Sequence, residues 1–507
     1  MRKHNRLSLR FIILSLVAAT SNSHANDLTK DSGVAVRDGK LAAGYSSDWQ
    51  PLVTGHLKNG VRFAILPRRG HEPGLGLLMR NQGGFIEERR PGERGLTHLI
   101  EHLAFLSPTT GAANDLHHLL RVGPKVTFGA PSVGTTSWRE TNYFFSTTTT
   151  NLADLDTMLG LLREVATDMT LRPDAVDEGR AQIVQEMAGR KLGNDIYANY
   201  ISAVAPGSPT DVIDAQNSDD VPTASIDTIR QLYRRLYQPA NMMIVVVGNV
   251  DPTKTKALIQ TRFGDWKGLR PEHAPVAGFR SARIEPISFS ALQQGRRTAM
   301  VTVVMPTSHA PGSPRRQADA MLMDMLAVRA VSNRLVHAQP DSPPGKVGMF
   351  IENGEQGHRL FMLWDNFAAD RWQPAVTGLW RTRCDLRTTG FFDSEWGVAK
   401  QEVLHDLQRR ADTMGTATNV ELAKDLSHAV AAGQDLIPPD QLMRYARSFL
   451  PTVSAAAGSR WLQQQWQTDV EHLRIEAPEM AQVAEPIAAI RTVADQATEP
   501  LVCKVRR

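Results

Sequence analysis

At 507 residues the chain is too long for one ordinary hydrophobic core, and two domains of roughly 200–250 residues each are the natural expectation. Hydrophobic residues make up 42% and charged residues 22%, which excludes a disordered or fibrous class. A net charge of +4 with no Lys/Arg block gives no footing for a nucleic-acid partner.

The first residues read as an export signal. Arg2, Lys3, Arg6 and Arg10 form a basic stretch, and "FIILSLVAA" follows as a short apolar run. Small residues at Ser23 and Ala25 suit cleavage near Ala25. The apolar run is well short of the roughly 20 residues a membrane span needs. The expected mature chain is therefore periplasmic or secreted, with no membrane span. Cys384 and Cys503 are the only cysteines, and the sequence leaves open whether they pair.

"VTGHLKNGVRFAILP" (53–67) reads as two strands joined at Asn59-Gly60, a strong hairpin signal. "GLGLLMRNQGG" (74–84) is a further strand. Its Gly74-x-Gly76 lacks the rest of a dinucleotide-binding pattern. A helix is predicted from about Gly95 to a stop at Pro108, and a second over 113–123. "ETNYFFSTTTT" (140–150) is β-rich. Helical patterns follow at 151–169, 173–191 and 225–239, then a buried strand, "NMMIVVVGNV" (241–250), and a helix at 251–263. "GLRPEHAPVAG" (268–278) reads as linker. Beyond it the order partly repeats, with a strand at 297–306 and helices at 313–336, 389–410 and 438–450. The expected class is α+β: two related units, each a mostly antiparallel sheet with helices packed on it. The expected divisions are a signal peptide at 1–25, a first domain at 48–267, a linker at 268–290 and a second domain at 291–507.

"GLTHLIEHLAFLS" (95–107) carries His98, Glu101 and His102 in one apolar helix. Positions i and i+4 share a helix face, so the two imidazoles lie side by side at a spacing that can grip one Zn²⁺. Glu101 sits on the flank of that face, where a carboxylate can act as general base. The order H-x-x-E-H is the inverzincin signature. A third ligand must come from elsewhere. The best candidate is Glu186 in "AQIVQEMAGRK", which lies in sequence among Ile183, Val184 and Met187. A solvated flank position is the ordinary fate of such a glutamate. Adjacent His117 and His118 cannot both face one metal from a helix, and Arg89, Arg90 and Arg94 read as a solvated turn.

The chain resembles the insulinase/pitrilysin metallopeptidases, and within them an exported bacterial branch. The carriers are "HLKNGVRFAILP", "GGFIEE", "GLTHLIEHLAF" and "FGAPSVGTTSWRETNYF", with "LRPDAVDEGRAQIVQE" and "LYQPANMMIVVVGNVD". Phe128, Gly129, Thr136, Ser137, Glu140, Thr141 and Tyr143 match the branch's pattern. The resemblance implies that His98, His102 and Glu186 bind one zinc per chain and that Glu101 is the base. It implies peptide capture at a sheet edge near 128–136, with Phe128, Gly129, Val133 and Gly134 as substrate-binding residues.

Departures accompany the match. Val133 stands where the family has Asn, and Pro131 where it has Asp. Gly179 stands where relatives carry a supporting Glu, with Glu178 adjacent. The Arg/Tyr pair that relatives supply from a later domain is not found around 333–353, so the chain resembles the first half of the long enzymes or one subunit of the two-subunit kind, and a homodimer or heterodimer with a related chain is expected to complete the site. The implied activity is hydrolysis of unfolded peptides or small proteins outside the cytoplasm, the second domain being inactive. The competing reading is a catalytically weak or inactive relative that serves as partner subunit or peptide-binding scaffold.

Overall fold

The structure is a computed structural model. It describes residues 34–37, 51–69, 73–107, 109, 126–128, 134–137, 139–189, 218–268, 286–291, 297–306, 313–339, 346–353, 358–413, 416–466 and 471–498. The expected signal peptide, the helix expected at 113–123 with His117 and His118, most of the expected linker, and Cys503 lie outside the described residues. Cys384, fully buried, takes part in a disulfide.

Two sheets with helices packed on them make an α+β fold in two units. The first sheet contains β1 (Val34–Arg37), β2 (Leu52–His56), β3 (Arg62–Pro67), β4 (Leu75–Asn81), β5 (Val126–Phe128), β6 (Gly134–Thr136), β7 (Thr141–Thr147) and β8 (Met242–Gly248). Its order is β1-β2-β3-β8-β4-β7-β5, and β6 also pairs with β7. Among the described residues of this sheet only β3 and β8 run parallel, and every other pairing is antiparallel. The β2–β3 turn is the Asn59-Gly60 hairpin, with Gly60 at φ 98°. The helices are α1 (Leu96–Leu106), α2 (Leu152–Thr167), α3 (Pro173–Gly189), α4 (Ile226–Leu236) and α5 (Pro252–Phe263). Asn151, Ser225 and Asp251 cap α2, α4 and α5 by accepting backbone N–H groups.

The second sheet contains β9 (Ile287–Ser290), β10 (Thr298–Pro306), β11 (Val347–Asn353), β12 (His358–Asp365) and β13 (Glu471–Glu476), in the order β11-β12-β10-β13-β9. Its helices begin with α6 (Pro314–Ala338), α7 (Trp372–Thr388) and α8 (Asp393–Thr413). They continue with α9 (Asn419–Ala431), α10 (Pro439–Phe449), α11 (Ala455–Gln465) and α12 (Pro486–Ala497).

Strand β8 shows why the first sheet needs cover on both faces. Met242, Ile244 and Val246 join the core beneath α1–α5, while Met243, Val245 and Val247 point to the opposite face. That opposite face is covered by α9, from the far part of the chain, through Val420, Leu422, Ala423 and Leu426. Gly76 permits the approach: a Cβ there would lie 2.2 Å from the Asn419 backbone. The contact is also polar. Arg80 Nη2 donates to Glu140 Oε2 at 2.9 Å, and His428 on α9 lies beside Arg80 at 3.4 Å. Lys424 sits over the Phe144 ring, 3.7 Å from its centre. Burial raises the Glu140 pKa, but Arg80 foremost and then His428 outweigh it, and the carboxyl ends below its usual range. The two units are thus tied through an apolar face and through the polar contacts of His428 with Arg80, of Lys424 with Phe144 and of the Asn419 amide with the Gly74 carbonyl.

Candidate metal centre

Helix α1 is held rigidly from both sides. Leu96, Leu99, Ile100, Leu103 and Ala104 pack into the first unit's core. Its N-cap, Gly95, offers no side chain. Glu88 takes over that duty from outside the helix. Its carboxylate accepts the backbone N–H groups of Gly95 and Thr97 at 2.8 Å each, and the Thr97 hydroxyl at 2.6 Å. Orphan donors at a helix start are thereby satisfied. Burial pushes the Glu88 carboxyl up to about 7 against the pull of these donors. Arg235 clamps the preceding turn, donating to both Glu93 oxygens at 2.8 Å. Arg89, Arg90 and Arg94 are exposed, as a solvated turn requires.

Helix α3 lies against α1. Glycine at 179 allows it: a Cβ there would come within 3.1 Å of Leu99 Cδ1 and 3.4 Å of Leu103 Cδ2. The apolar side of α3 differs from the sequence pattern. Ile183 is buried and Met187 half-buried, but Val184 is 51% exposed. Glu186 turns toward α1. Its Oε2 lies 3.6 Å from His98 Nε2 and 3.4 Å from His102 Nε2. All three side chains offer a ligand atom within 4.8 Å of one another. The imidazole rings meet edge to face, 4.9 Å apart.

The two carboxylate–imidazole separations fit a metal ion. A regular tetrahedron of ligands at about 2.0–2.2 Å from zinc has edges of roughly 3.3–3.6 Å. The donor set, two imidazole nitrogens and a carboxylate oxygen, is one used by hydrolytic zinc enzymes. His98 is buried and His102 and Glu186 are half-buried, so the cluster opens to solvent on one side.

Glu101 meets β6. Thr136 Oγ1 donates to Glu101 Oε2 at 2.6 Å. On the other oxygen, a Cβ at Gly134 would come within 2.5 Å of Oε1. The glycine main chain therefore forms a close wall for the carboxylate. Behind Glu101, Tyr143 and Tyr237 share a hydroxyl–hydroxyl hydrogen bond, and Phe105 packs on Tyr143. Burial holds both phenols well above their usual range.

Of the four expected substrate-binding residues, Gly134 lies on β6 against Glu101, and Phe128 lies on β5 in register with Phe145. Gly129 and Val133 lie outside the described residues, as do Pro131 and Trp138. Sequence reasoning missed three polar contacts of the site. Thr136 belonged to the matched pattern without a role. Glu88 stood in "GGFIEE". Gln182, whose Oε1 lies 3.0 Å from His102 Nδ1, stands one helical turn before Glu186, a spacing that could have found it.

Residues 82–194 match the family profile described as "Insulinase (Peptidase family M16)", and residues 223–338 match "Peptidase M16 inactive domain". The chain belongs to the insulinase/pitrilysin family. Among its relatives is the "Probable zinc protease PqqL" of Escherichia coli, 28% identical over 230 residues, which are 44% of this chain and 24% of that protein. The "Zinc protease PqqE" of Helicobacter pylori is 25% identical over 248 residues, 48% of this chain and 52% of that one. The crystal structure of the periplasmic protease PqqL from E. coli overlays 90% of this chain with a TM-score of 0.69 at 18% identity, and 51% of its own chain is covered. The separately solved first half of that protease is covered over 98% of its length. The chain thus spans about half the length of PqqL in structure and less in matched sequence. At this identity the likeness establishes the two-unit fold.

Proposed function

We propose that the chain is a zinc-dependent peptidase that cleaves peptide bonds of unfolded peptides or small proteins outside the cytoplasm. The observation that carries the reading is the convergence of His98, His102 and Glu186 from two helices, with Glu101 one turn away on the first. His98 Nε2, His102 Nε2 and Glu186 Oε2 would hold one Zn²⁺ per chain. Bound zinc supplies Lewis acidity, activating water and polarising a carbonyl. Glu101 accepts the proton of the attacking water and returns it to the leaving amine nitrogen. Thr136 keeps one oxygen of that base fixed. An extended peptide would add to the sheet edge at β5 and β6, along Phe128, Gly129, Val133 and Gly134, with backbone pairing that tolerates many sequences.

The division into a zinc-binding domain at 48–267, a linker at 268–290 and an inactive domain at 291–507 belongs to this proposal. So do export through the stretch at 1–25 to the periplasm, and pairing with a related chain that supplies the Arg/Tyr pair. The name of the E. coli relative supports the compartment. The second reading is an inactive partner or peptide-binding scaffold. Gly179 favours it, because glycine offers no supporting carboxylate at this position.

Glu101→Gln separates the readings. The variant should retain zinc by elemental analysis and lose hydrolysis of a quenched peptide by about 10²–10⁴-fold, the usual worth of a general base. Unchanged hydrolysis would remove Glu101 from the mechanism. A parent chain that holds zinc and binds peptide without cleaving it would establish the scaffold.

A further inference from the structure

We infer that Gln182 is a positioning residue of the metal centre: its side-chain amide fixes the tautomer of His102 and is itself fixed by Glu178. The inference rests on the zinc site proposed above and adds two residues to it.

Glu178, Gln182 and Glu186 follow at intervals of four along α3 and so share one helix face. The hydrogen-bond roles along this row can be assigned from one end. An ionised Glu178 carboxylate only accepts. The group facing its Oε1, at 3.5 Å, is therefore the NH₂ of Gln182, and the Gln182 Oε1 is turned toward α1. That oxygen lies 3.0 Å from His102 Nδ1 and can only accept. His102 must then carry its proton on Nδ1. In the neutral ring that places the lone pair on Nε2, the atom that lies 3.4 Å from Glu186 Oε2. An outer partner that fixes a ligand imidazole in this way is a general requirement of a metal site.

Position 179, where the family resemblance implies a supporting Glu, is glycine and has no side chain to offer. A side chain at 179 would begin against Leu99 and Leu103. Gln182 lies nearer to Glu186 along the helix and meets His102 rather than the leucines. The exchange has a consequence. A neutral amide accepts more weakly than a carboxylate, so it makes His102 a less basic ligand. The site is built to hold the ion less firmly than one backed by an acid.

The test is zinc affinity of the full chain, measured by competition with a chromophoric chelator, beside the melting midpoint of the metal-free protein. Gln182→Met keeps an unbranched side chain of similar length and removes the acceptor. It should weaken zinc binding by about 10–100-fold with little change in the metal-free midpoint. Gln182→Glu restores an acceptor and should bind zinc at least as tightly as the parent. Glu178→Ala, an exposed change that leaves packing alone, should give a smaller loss by freeing the amide to turn over. Equal zinc affinity in parent and Gln182→Met would overturn the inference, as would equal losses in Gln182→Met and Gln182→Glu. Should Gln182→Met not fold, Glu178→Ala decides: unchanged affinity removes the relay. A parent chain that binds no zinc sinks the proposed site itself, a result distinct from all of these.

Discussion

Each unit contains a seam between two helices, and the two seams neutralise charge in opposite ways. In the second unit α6 packs on α8, and the seam carboxylates Glu395, Glu402 and Asp406 each meet a donor from the chain itself. Arg334 pairs with Glu395 and also donates to the Gly390 carbonyl at 2.7 Å. Asn333 donates to Glu402 at 2.7 Å, and Arg329 pairs with Asp406. In the first unit α1 packs on α3, and Glu186 meets the Nε2 atoms of two imidazoles. With the proton of His102 on Nδ1, that ring turns a lone pair toward the carboxylate. Lone pairs and a carboxylate oxygen within 3.6 Å repel unless a proton or a metal ion lies among them. One seam carries its own cations; the other is arranged to receive one.

The largest expected effect follows from removing the acid of the first seam. Glu186→Ala should lose zinc by more than the roughly 10–100-fold that attends loss of an outer hydrogen bond. Chelation should lower the melting midpoint of the parent, since zinc at 1,000-fold excess over its dissociation constant stabilises by about 4 kcal/mol. It should not lower that of Glu186→Ala. A midpoint that falls equally in both would show that the ion binds elsewhere.

The second seam should respond in stability and not in metal. Arg334→Met leaves Glu395 without its cation, and Arg334 also lies over the Phe392 ring at 5.4 Å. Breaking a fully buried pair costs about 3–5 kcal/mol. This pair keeps 12% and 17% exposure, so a loss nearer ~2–3 kcal/mol is expected by denaturant titration. Zinc affinity should stay at the parent value. A loss of zinc would mean the seams are coupled through α9 and the first sheet.

How much of this contrast was legible in the sequence follows from which signals are local. The hairpin at Asn59-Gly60, the apolar β8 and the helix carrying His98 and His102 are periodic or motif-bound, and the structure has them within a few residues. Strands β11 and β12, and helices α7 and α9, went unread because their patterns are weak before their packing is known. Helix α9 is the clearest case. Its apolar residues face a sheet hundreds of residues earlier, and only Gly76 hints at it. Gly179 read as a missing carboxylate, whereas in three dimensions it is a close helix contact. Val184 stands beside Ile183 in sequence and yet is exposed where Ile183 is buried, because α3 meets its neighbours on a narrow stripe.

The smallest effect sharpens the first seam by dividing the metal from the base. Thr136 stands on β6 and touches Glu101, with no contact to His98, His102 or Glu186 among those described. Thr136→Val keeps shape and β-propensity and removes only the hydroxyl donor. A hydrogen bond to a charged group contributes about 1.5–3 kcal/mol. Part of that would be recovered by water reaching the carboxylate, so a fall of about tenfold in kcat/KM is expected, or roughly 1.4 kcal/mol. Zinc affinity should be unchanged, because the donor acts on the base alone. If Thr136→Val instead loses zinc in step with activity, Glu101 and the ligands form one unit, and the separate role given to β6 is wrong. If neither changes, the hydroxyl only fills space, and the orientation of Glu101 comes from the Gly134 wall and the helix.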